Sequence, residues 1–468
     1  MDGTDQAERK VSKIVFGNKT RIVILLLSIF CFTITQANAI TANFTVICMN
    51  DVIEEQRGNS TEPHWLEVNS EVSLLFSATA VGSLIGVLPS VQLLDKFGIR
   101  NVVTTYAMIS GVGTLLFPYA VSLGLYAAMI PRLLQGIGIS TIFTNMGAIS
   151  QQWSVISELS TYLAFISTAI QLSSIVTMPL AGFLCESSLG WRWLYYIFGC
   201  VTILSHIVFY FFFSDTPHLH RNVSQKELRK ISVGKVAQSK KGVPYRAVCT
   251  DKTILGVWAS VWGGNMGFML LLYYGPTYLN KVMGMHVKET GFATALPYAL
   301  AACVKFVAGP LSDVTKCISE RARLVLFAAV SQVAMAIAFV VLAFTTDLIV
   351  AQTAYTLAIC FSGINVVGTV KCAQLRARQY VHFVMAFISM TACCCTFILP
   401  IVVGIMCPDN TQQQWSRFFI VLAAFVILTN LPFPFTATSE PADYTMADWV
   451  DPASVKDKEF SKQGEPKV

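Results

Sequence analysis

Charge is what this chain has least of. Of its 468 residues only 13% are Asp, Glu, Lys or Arg, half the roughly 25% of an ordinary soluble chain, while 54% are hydrophobic and the mean hydropathy is +0.59. That density excludes the soluble classes. Catalytic signatures are missing too. There is no G-x-x-x-x-G-K-S/T phosphate loop, which argues against ATP-driven pumping by this chain alone, and no H-E-x-x-H. No cluster of His and Cys outside the apolar runs has metal-ligand spacing. An enzyme is not expected, nor is a cofactor. The net charge, 33 − 27 = +6, does not suggest a nucleic-acid partner. Thirteen cysteines fall mostly inside apolar runs, Cys393, Cys394 and Cys395 among them, so they form no disulfide framework. Cys48, Cys185 and Cys407 lie near one face, where a bridge is possible.

What the chain has is long apolar runs. A bilayer core of about 30 Å takes roughly 20 residues per helix, so twelve helices would use about 260 residues. Predominantly apolar stretches fall at 22–48, 72–94, 102–122, 125–147, 161–184 and 193–213, then at 254–274, 292–312, 322–344, 348–370, 380–406 and 417–436. The expected fold is all-α: a polytopic membrane protein of twelve transmembrane helices in two six-helix bundles, over 22–213 and 254–436. Flanking them are an N-terminal tail (1–21), a central loop (214–253) and a C-terminal tail (437–468), all expected in the cytoplasm.

Basic residues set that orientation. The central loop carries nine Lys and Arg against three acids, and the N-terminal tail holds Arg9, Lys10, Lys13, Lys19 and Arg21. Loops at Lys96 to Arg100, Lys316 to Arg323 and Lys371 to Arg378 are basic and fall on the same side if the helices alternate. The opposite side holds the acidic loop from Asp51 to Glu71, with Asn59-Ser60-Thr61 as an N-glycosylation acceptor. Arg192, Lys281, Lys288 and Arg417 are exceptions. The first apolar stretch has a rival reading as a cleavable signal peptide ending at Ala37-Asn38-Ala39; that reading would leave eleven spans. Within the central loop, 224–234 is either a short amphipathic helix on anionic lipid or a solvated basic loop.

The halves show weak internal symmetry. Asp95-Lys96-Phe97-Gly98-Ile99-Arg100 follows the second span and Gly309-Pro310-Leu311-Ser312-Asp313 ends the eighth. Carriers built from such repeats hold substrate near the midplane and rock one half against the other. Asp95, Arg100 and Asp313 are expected to cap and pair at helix junctions rather than to touch substrate.

The D-x-x-G-x-R loop and the six-plus-six plan resemble the major facilitator superfamily. Further segments resemble one branch of it, solute carrier family 17, the anion/cation symporters that include sialin, vesicular glutamate transporters and type I phosphate carriers. Arg132-Leu133-Leu134-Gln135-Gly136 matches that family's R-x-L-Q-G. Gln152-Trp153 with Glu158-Leu159-Ser160, then Met178-Pro179-Leu180-Ala181-Gly182, Gly190-Trp191-Arg192-Trp193 and Ser214-Asp215-Thr216-Pro217 follow its other motifs. The resemblance spans nearly the whole chain and thins in the second half, where Asn265, Pro276 to Leu279, Leu296-Pro297-Tyr298 and Trp415 line up. It departs where the family carries charge. Thr41 stands for an arginine of many members, Phe76 for a histidine and Gly264 for a second arginine of the glutamate transporters, and Ile139 for a glutamate. The family's N-H-L-D-I-A-P becomes Cys372 to Arg378. The resemblance therefore implies a divergent anion carrier, and glutamate transport does not carry over with it.

An ionisable group at bilayer depth costs about 3 kcal/mol on insertion scales, so it persists where it faces a cavity or a partner. Two cations lie deep: Arg132, about 10 Å into the fourth span, and Lys305, about 12 Å before the eighth span ends. No Asp or Glu lies deep in any span. A cavity with fixed cations and no carboxylate attracts an anion, and the arginine fork fits carboxylate or phosphate oxygens. Each has a plainer alternative: Arg132 bonded to backbone carbonyls, Lys305 snorkelling to the interface. Of the histidines only His206 sits well inside a span, the sixth. Proton coupling through a buried carboxylate is therefore not expected. Sodium held by neutral oxygens, anion exchange and uniport remain. Thr41, Asn43 and Asn265 are candidates for substrate or Na⁺, against ordinary interhelical hydrogen bonding. Tyr274, with Tyr273 and Tyr278, either gates the cavity or joins an interfacial aromatic belt. Glu158 is expected to be structural.

The expected function is secondary transport of a small organic anion or phosphate by a monomer in a plasma, vesicular or lysosomal membrane. The alternative is a transport-inactive receptor that kept the fold.

Overall fold

The computed structural model describes residues 16–57, 64–233, 243–314 and 318–446. Among the described residues every regular element is a helix. The long ones are α1 (Thr20–Thr45), α2 (Asn69–Val87), α3 (Ser90–Ser122), α4 (Leu125–Ile139, resuming as Ile142–Trp153), α5 (Leu159–Glu186) and α6 (Arg192–Phe212). There follow α7 (Lys252–Thr277), α8 (Val287–Val314), α9 (Glu320–Phe344), α10 (Leu348–Asn365), α11 (Val381–Met406) and α12 (Gln412–Asn430). Among the described residues ten stretches are long and apolar enough to cross a membrane, and the apolar part of α2, Glu71–Val87, is shorter. One of the ten, Leu348–Met406, has 59 residues, about 88 Å of helix at 1.5 Å per residue. It folds back at Arg378, whose φ is 43°, and so supplies two crossings, α10 and α11. The twelve expected helices are all present.

Within the first bundle α1 packs on α5 and α6, and α3 and α4 on their neighbours; within the second, α7 packs on α11 and α12, and α9 on α10 and α12. The bundles meet along α5 with α8, α2 with α11, the second part of α4 with α11, and α1 with α7. Close approach of α2 and α4 depends on glycine. A Cβ at Gly82 would run into the Leu133 carbonyl, and one at Gly136 into the Thr79 carbonyl.

The junction after α2 differs from the expected one. The apolar run continues to Leu94, but α2 ends at Val87: Pro89 has no amide proton to give, so the helical hydrogen-bond ladder is interrupted there although Leu88 keeps helical φ and ψ. Asp95 therefore lies in the first turns of α3, which breaks at Gly98 (φ 79°, ψ 169°). The stretch Cys372 to Arg378 also differs. Its first part belongs to a helix, Lys371–Ala377, reached from α10 through the π-helical Val366–Val370. Lys371 is buried there and its ammonium lies 3.6 Å from Glu320.

The two ends of the molecule differ in chemistry. At one end the Cys48–Cys185 disulfide joins the end of the first span to α5. Beside it Arg192 pairs with Asp51 and, at 3.4 Å, with Glu55, so this exception to the charge rule is neutralised locally. The opposite, basic end is held by acids. Glu227, buried in the short helix Gln225–Ser232, accepts the backbone N–H of Thr20 (3.1 Å) and Arg21 (2.8 Å) and thereby caps α1. Ile231 of the same helix is buried too, while Lys226, Arg229 and Lys230 are exposed, so residues 225–232 form a short amphipathic helix rather than an irregular loop. In the second half Asp251 caps α7 through the N–H of Thr253 (2.9 Å) and pairs with Arg376 (2.7 Å).

Candidate functional site

Pro131 and Arg132 lie in the first part of α4, and the guanidinium points across to α1. Arg132 is 1% exposed. Its Nη1 donates to the Ala39 carbonyl (2.7 Å) and to Gln135 Oε1 (2.8 Å), and its Nη2 donates to Asn43 Oδ1 (3.3 Å). Nε has no acceptor. Gln135, one turn on, is oriented by donating to Thr114 (3.1 Å). The plainer sequence alternative is thus partly met, by one backbone carbonyl and two amides. The guanidinium borders a cavity of about 10 Å³ lined by Asn43, Phe76, Tyr273, Tyr274, Thr396 and Pro400, room for about one water. Both bundles contribute to that wall. Phe76 and Tyr274 meet edge to face, 6.0 Å between ring centres, across the α2 and α7 boundary, and Tyr274 also contacts Trp415. Tyr273, Tyr274 and Tyr278 are all buried, which removes the belt reading.

Lys305 is 2% exposed and does not snorkel. From α8 its ammonium reaches into the other bundle and donates to the Ser167 carbonyl (3.2 Å), the Ser167 hydroxyl (3.1 Å) and Gln171 Oε1 (3.0 Å), all on α5. It borders a second cavity of about 70 Å³, which Gln171, Asn265, Gln332 and Asn365 also line, room for about five waters. Gly363 lets the lysine stem pass, since a Cβ there would stand 3.0 Å from Lys305 Cε. Among the described residues neither deep cation has a carboxylate partner.

The remaining predicted residues separate. Asn265 lines the Lys305 cavity and donates to Thr391 (3.3 Å). Thr41 is buried and spends its hydroxyl on the Ala37 carbonyl of its own helix (2.7 Å), and Asn38 donates to Ser110 and Thr202, so both serve helix packing. Asn43 alone of the first-span set reaches Arg132. Asp95 stands 3.8 Å from His382 at the start of α11, between the bundles at the basic end. Arg100 lies over the Tyr210 ring at 4.9 Å, and its backbone N–H donates to Asp215 (2.8 Å). A Cβ at Gly98 would collide with that same Asp215 carboxylate, which accounts for the glycine of D-x-x-G-x-R. Glu158 pairs with Arg21 (2.8 Å) and Lys230 (3.1 Å). Partial burial raises its pKa, but the Lys230 hydrogen bond and the Arg21 charge outweigh this and hold it below the ordinary value. Asp313 is in the last turn of α8. Asn59 lies outside the described residues. His206 is buried between α6 and α1, bonded to Thr202 and Thr35, away from both cavities. Sequence reasoning missed Ser167, Gln171, Gln332 and Asn365; their signal was a polar residue deep in an apolar run.

The fold agrees with the comparisons. The family model described as Major Facilitator Superfamily matches residues 25–400. Human sialin is 24% identical, over 78% of this chain and 75% of its own. Human sodium-dependent phosphate transport protein 1 is 25% identical, over 86% of this chain and 93% of its own. Among solved structures, the proton:xylose symporter XylE bound to 6-bromo-6-deoxy-D-glucose superposes with a TM-score of 0.71 at 16% identity, covering 88% of this chain and 95% of that one. These relatives are transporters, not enzymes, and the two human proteins agree with the branch the motifs resemble.

Proposed function

The chain belongs to the Major Facilitator Superfamily, and from that premise we propose that it carries a small organic anion or inorganic phosphate across a membrane by alternating access, with Arg132 as the principal anion contact. One observation carries this reading. Two fully buried cations border cavities between the bundles, and among the described residues neither is neutralised by protein. A buried charge without a partner is costly, and an incoming carboxylate or phosphate would relieve that cost. Arg132 would exchange its neutral acceptors Asn43 and Gln135 for a bidentate bond to the anion.

In this reading the basic end faces the cytoplasm with both termini, and the disulfide end faces a lumen or the exterior, where disulfides persist. Tyr274 and Phe76 close the pathway on the disulfide side. The carrier works as a monomer in a plasma, vesicular or lysosomal membrane. Sodium is the coupling ion it adopts, on the strength of relatives named for sodium dependence.

Uptake into proteoliposomes tests it, with a panel of carboxylates and phosphate, with and without a sodium gradient, at clamped potential. We expect Arg132→Ala to abolish uptake and Arg132→Lys, which keeps charge without the fork, to leave about a tenth or less. A wild type that moves no anion of the panel would favour the transport-inactive receptor.

A further inference from the structure

After the last span, residues 437–446 run back over the basic end of the second bundle, where Ala437, Ala442, Tyr444 and Thr445 are buried. They cover the turn by which the chain passes from α10 to α11. That turn pivots on Arg378, a residue with a full side chain held at φ 43° and ψ −111°. Such backbone costs energy outside glycine and collects at switch points.

The segment bonds to both sides of the pivot. Before Arg378, the Cys372 thiol donates to the Thr438 carbonyl (3.4 Å), and the Arg376 guanidinium donates to the carbonyls of Glu440 (3.3 Å) and Pro441 (3.4 Å). The Arg376 carbonyl accepts from the Ala442 N–H (3.0 Å). After Arg378, Gln379 Nε2 donates to the Thr445 carbonyl (3.0 Å), and the Tyr380 ring lies 6.2 Å from that of Tyr444. Rotation at Arg378 would pull these two sets apart. While the segment is seated, the angle between the Lys371–Ala377 helix and α11 is therefore fixed.

That angle matters because α11 forms part of the boundary between bundles. It packs on α2 and on the second part of α4, where the Ser389 hydroxyl accepts the Thr144 N–H (3.2 Å) and bonds the Thr144 hydroxyl (3.0 Å). Ala442 and Tyr444 share one buried apolar cluster with Tyr380, Met385 and, from the first bundle, Leu159 and Leu163. Contact thus runs unbroken from the segment through the turn to the opposite bundle.

We infer that residues 438–445 are a detachable splint over the Arg378 turn, an autoinhibitory contact that keeps α11 against the first bundle and the basic end shut. Seated, the splint makes α11 move with the rest of its bundle; lifted, it frees α11 to swing at Arg378. The segment belongs to none of the twelve spans and is held by a few bonds, so it can lift without unfolding a span. The device is independent of which solute is carried.

The test is maleimide labelling of Ser389→Cys in the full-length protein, read peptide by peptide by mass spectrometry. With the splint seated, the introduced thiol should react slowly. Adding Tyr444→Ala or Gln379→Ala should speed its reaction about tenfold, the worth of one buried contact, with the melting transition retained. Thr438→Cys sets a second thiol opposite native Cys372. Oxidation to the disulfide should bring the Tyr444→Ala rate back to that of the parent, and reduction should raise it again. Unchanged labelling in both variants overturns the splint, as does a raised rate that the cross-link fails to reverse. If Tyr444→Ala loses its melting transition, Gln379→Ala decides by the same two criteria.

Discussion

Buried cations and surface acids behave differently here at the level of single residues. Arg132 and Lys305 bond to neutral oxygens, whereas Glu158 at the basic end pairs with two cations, Arg21 and Lys230. Because the folded state holds the Glu158 pKa below its ordinary value of 4.5, folding favours the ionised form. That contribution is complete above the ordinary value and is lost as pH falls through the lowered one. Glu158→Gln should accordingly lower the melting temperature at pH 7, and the difference from wild type should close in acid well below pH 4.5. The carboxylate is 46% exposed, so the shift should be small and should shrink in high salt. Differential scanning fluorimetry across pH reads both; a difference that persists in acid would mean the side chain acts by packing.

Glycine decides how the elements fit. Gly136 and Gly82 bring the α2 and α4 backbones into contact, and the obstacle to a Cβ at either is a carbonyl that cannot rotate away. Gly136→Ala should cost about 1–3 kcal/mol as overpacking does. Gly404, in α11 with nothing within 4 Å of its would-be Cβ, should accept alanine with a gain of about 0.5–1 kcal/mol. Melting of the two variants side by side checks the contrast, and equal losses would count against it. Part of this scale was readable in the residue order: the twelve apolar runs and the D-x-x-G-x-R junction between the second and third. What escaped it was partnership between distant segments. Nothing near Gly98 announces Asp215, more than a hundred residues away, and Gln332 reads as an ordinary amide on a helix remote from the bundle boundary. The α2 end was misplaced because apolar content outlasts the helix; Pro89 stops the hydrogen-bond ladder while the hydrophobic run continues.

For the whole molecule, the covalent and ionic ties divide unequally between the bundles. The Cys48–Cys185 bridge and the Arg21–Glu158 pair lie within the first bundle, Glu227 and Lys230 tie the short Gln225–Ser232 helix to it, Asp251 pairs with Arg376 within the second, and Asp95 faces His382 across the boundary. Each half is braced internally, which is the condition for moving as a body. Lys305 differs, since every bond its ammonium makes goes to the opposite bundle. Parting α5 from α8 with the cavity empty would strand that charge, while an anion beside it would take over from Ser167 and Gln171. The loaded molecule should therefore reorient faster than the empty one, which gives trans-stimulation: vesicles preloaded with the carried anion should take up labelled anion several-fold faster than vesicles loaded with buffer. Equal initial rates would contradict it. On the proposed reading, a lysine bonded to the opposite bundle would slow the return of the empty carrier.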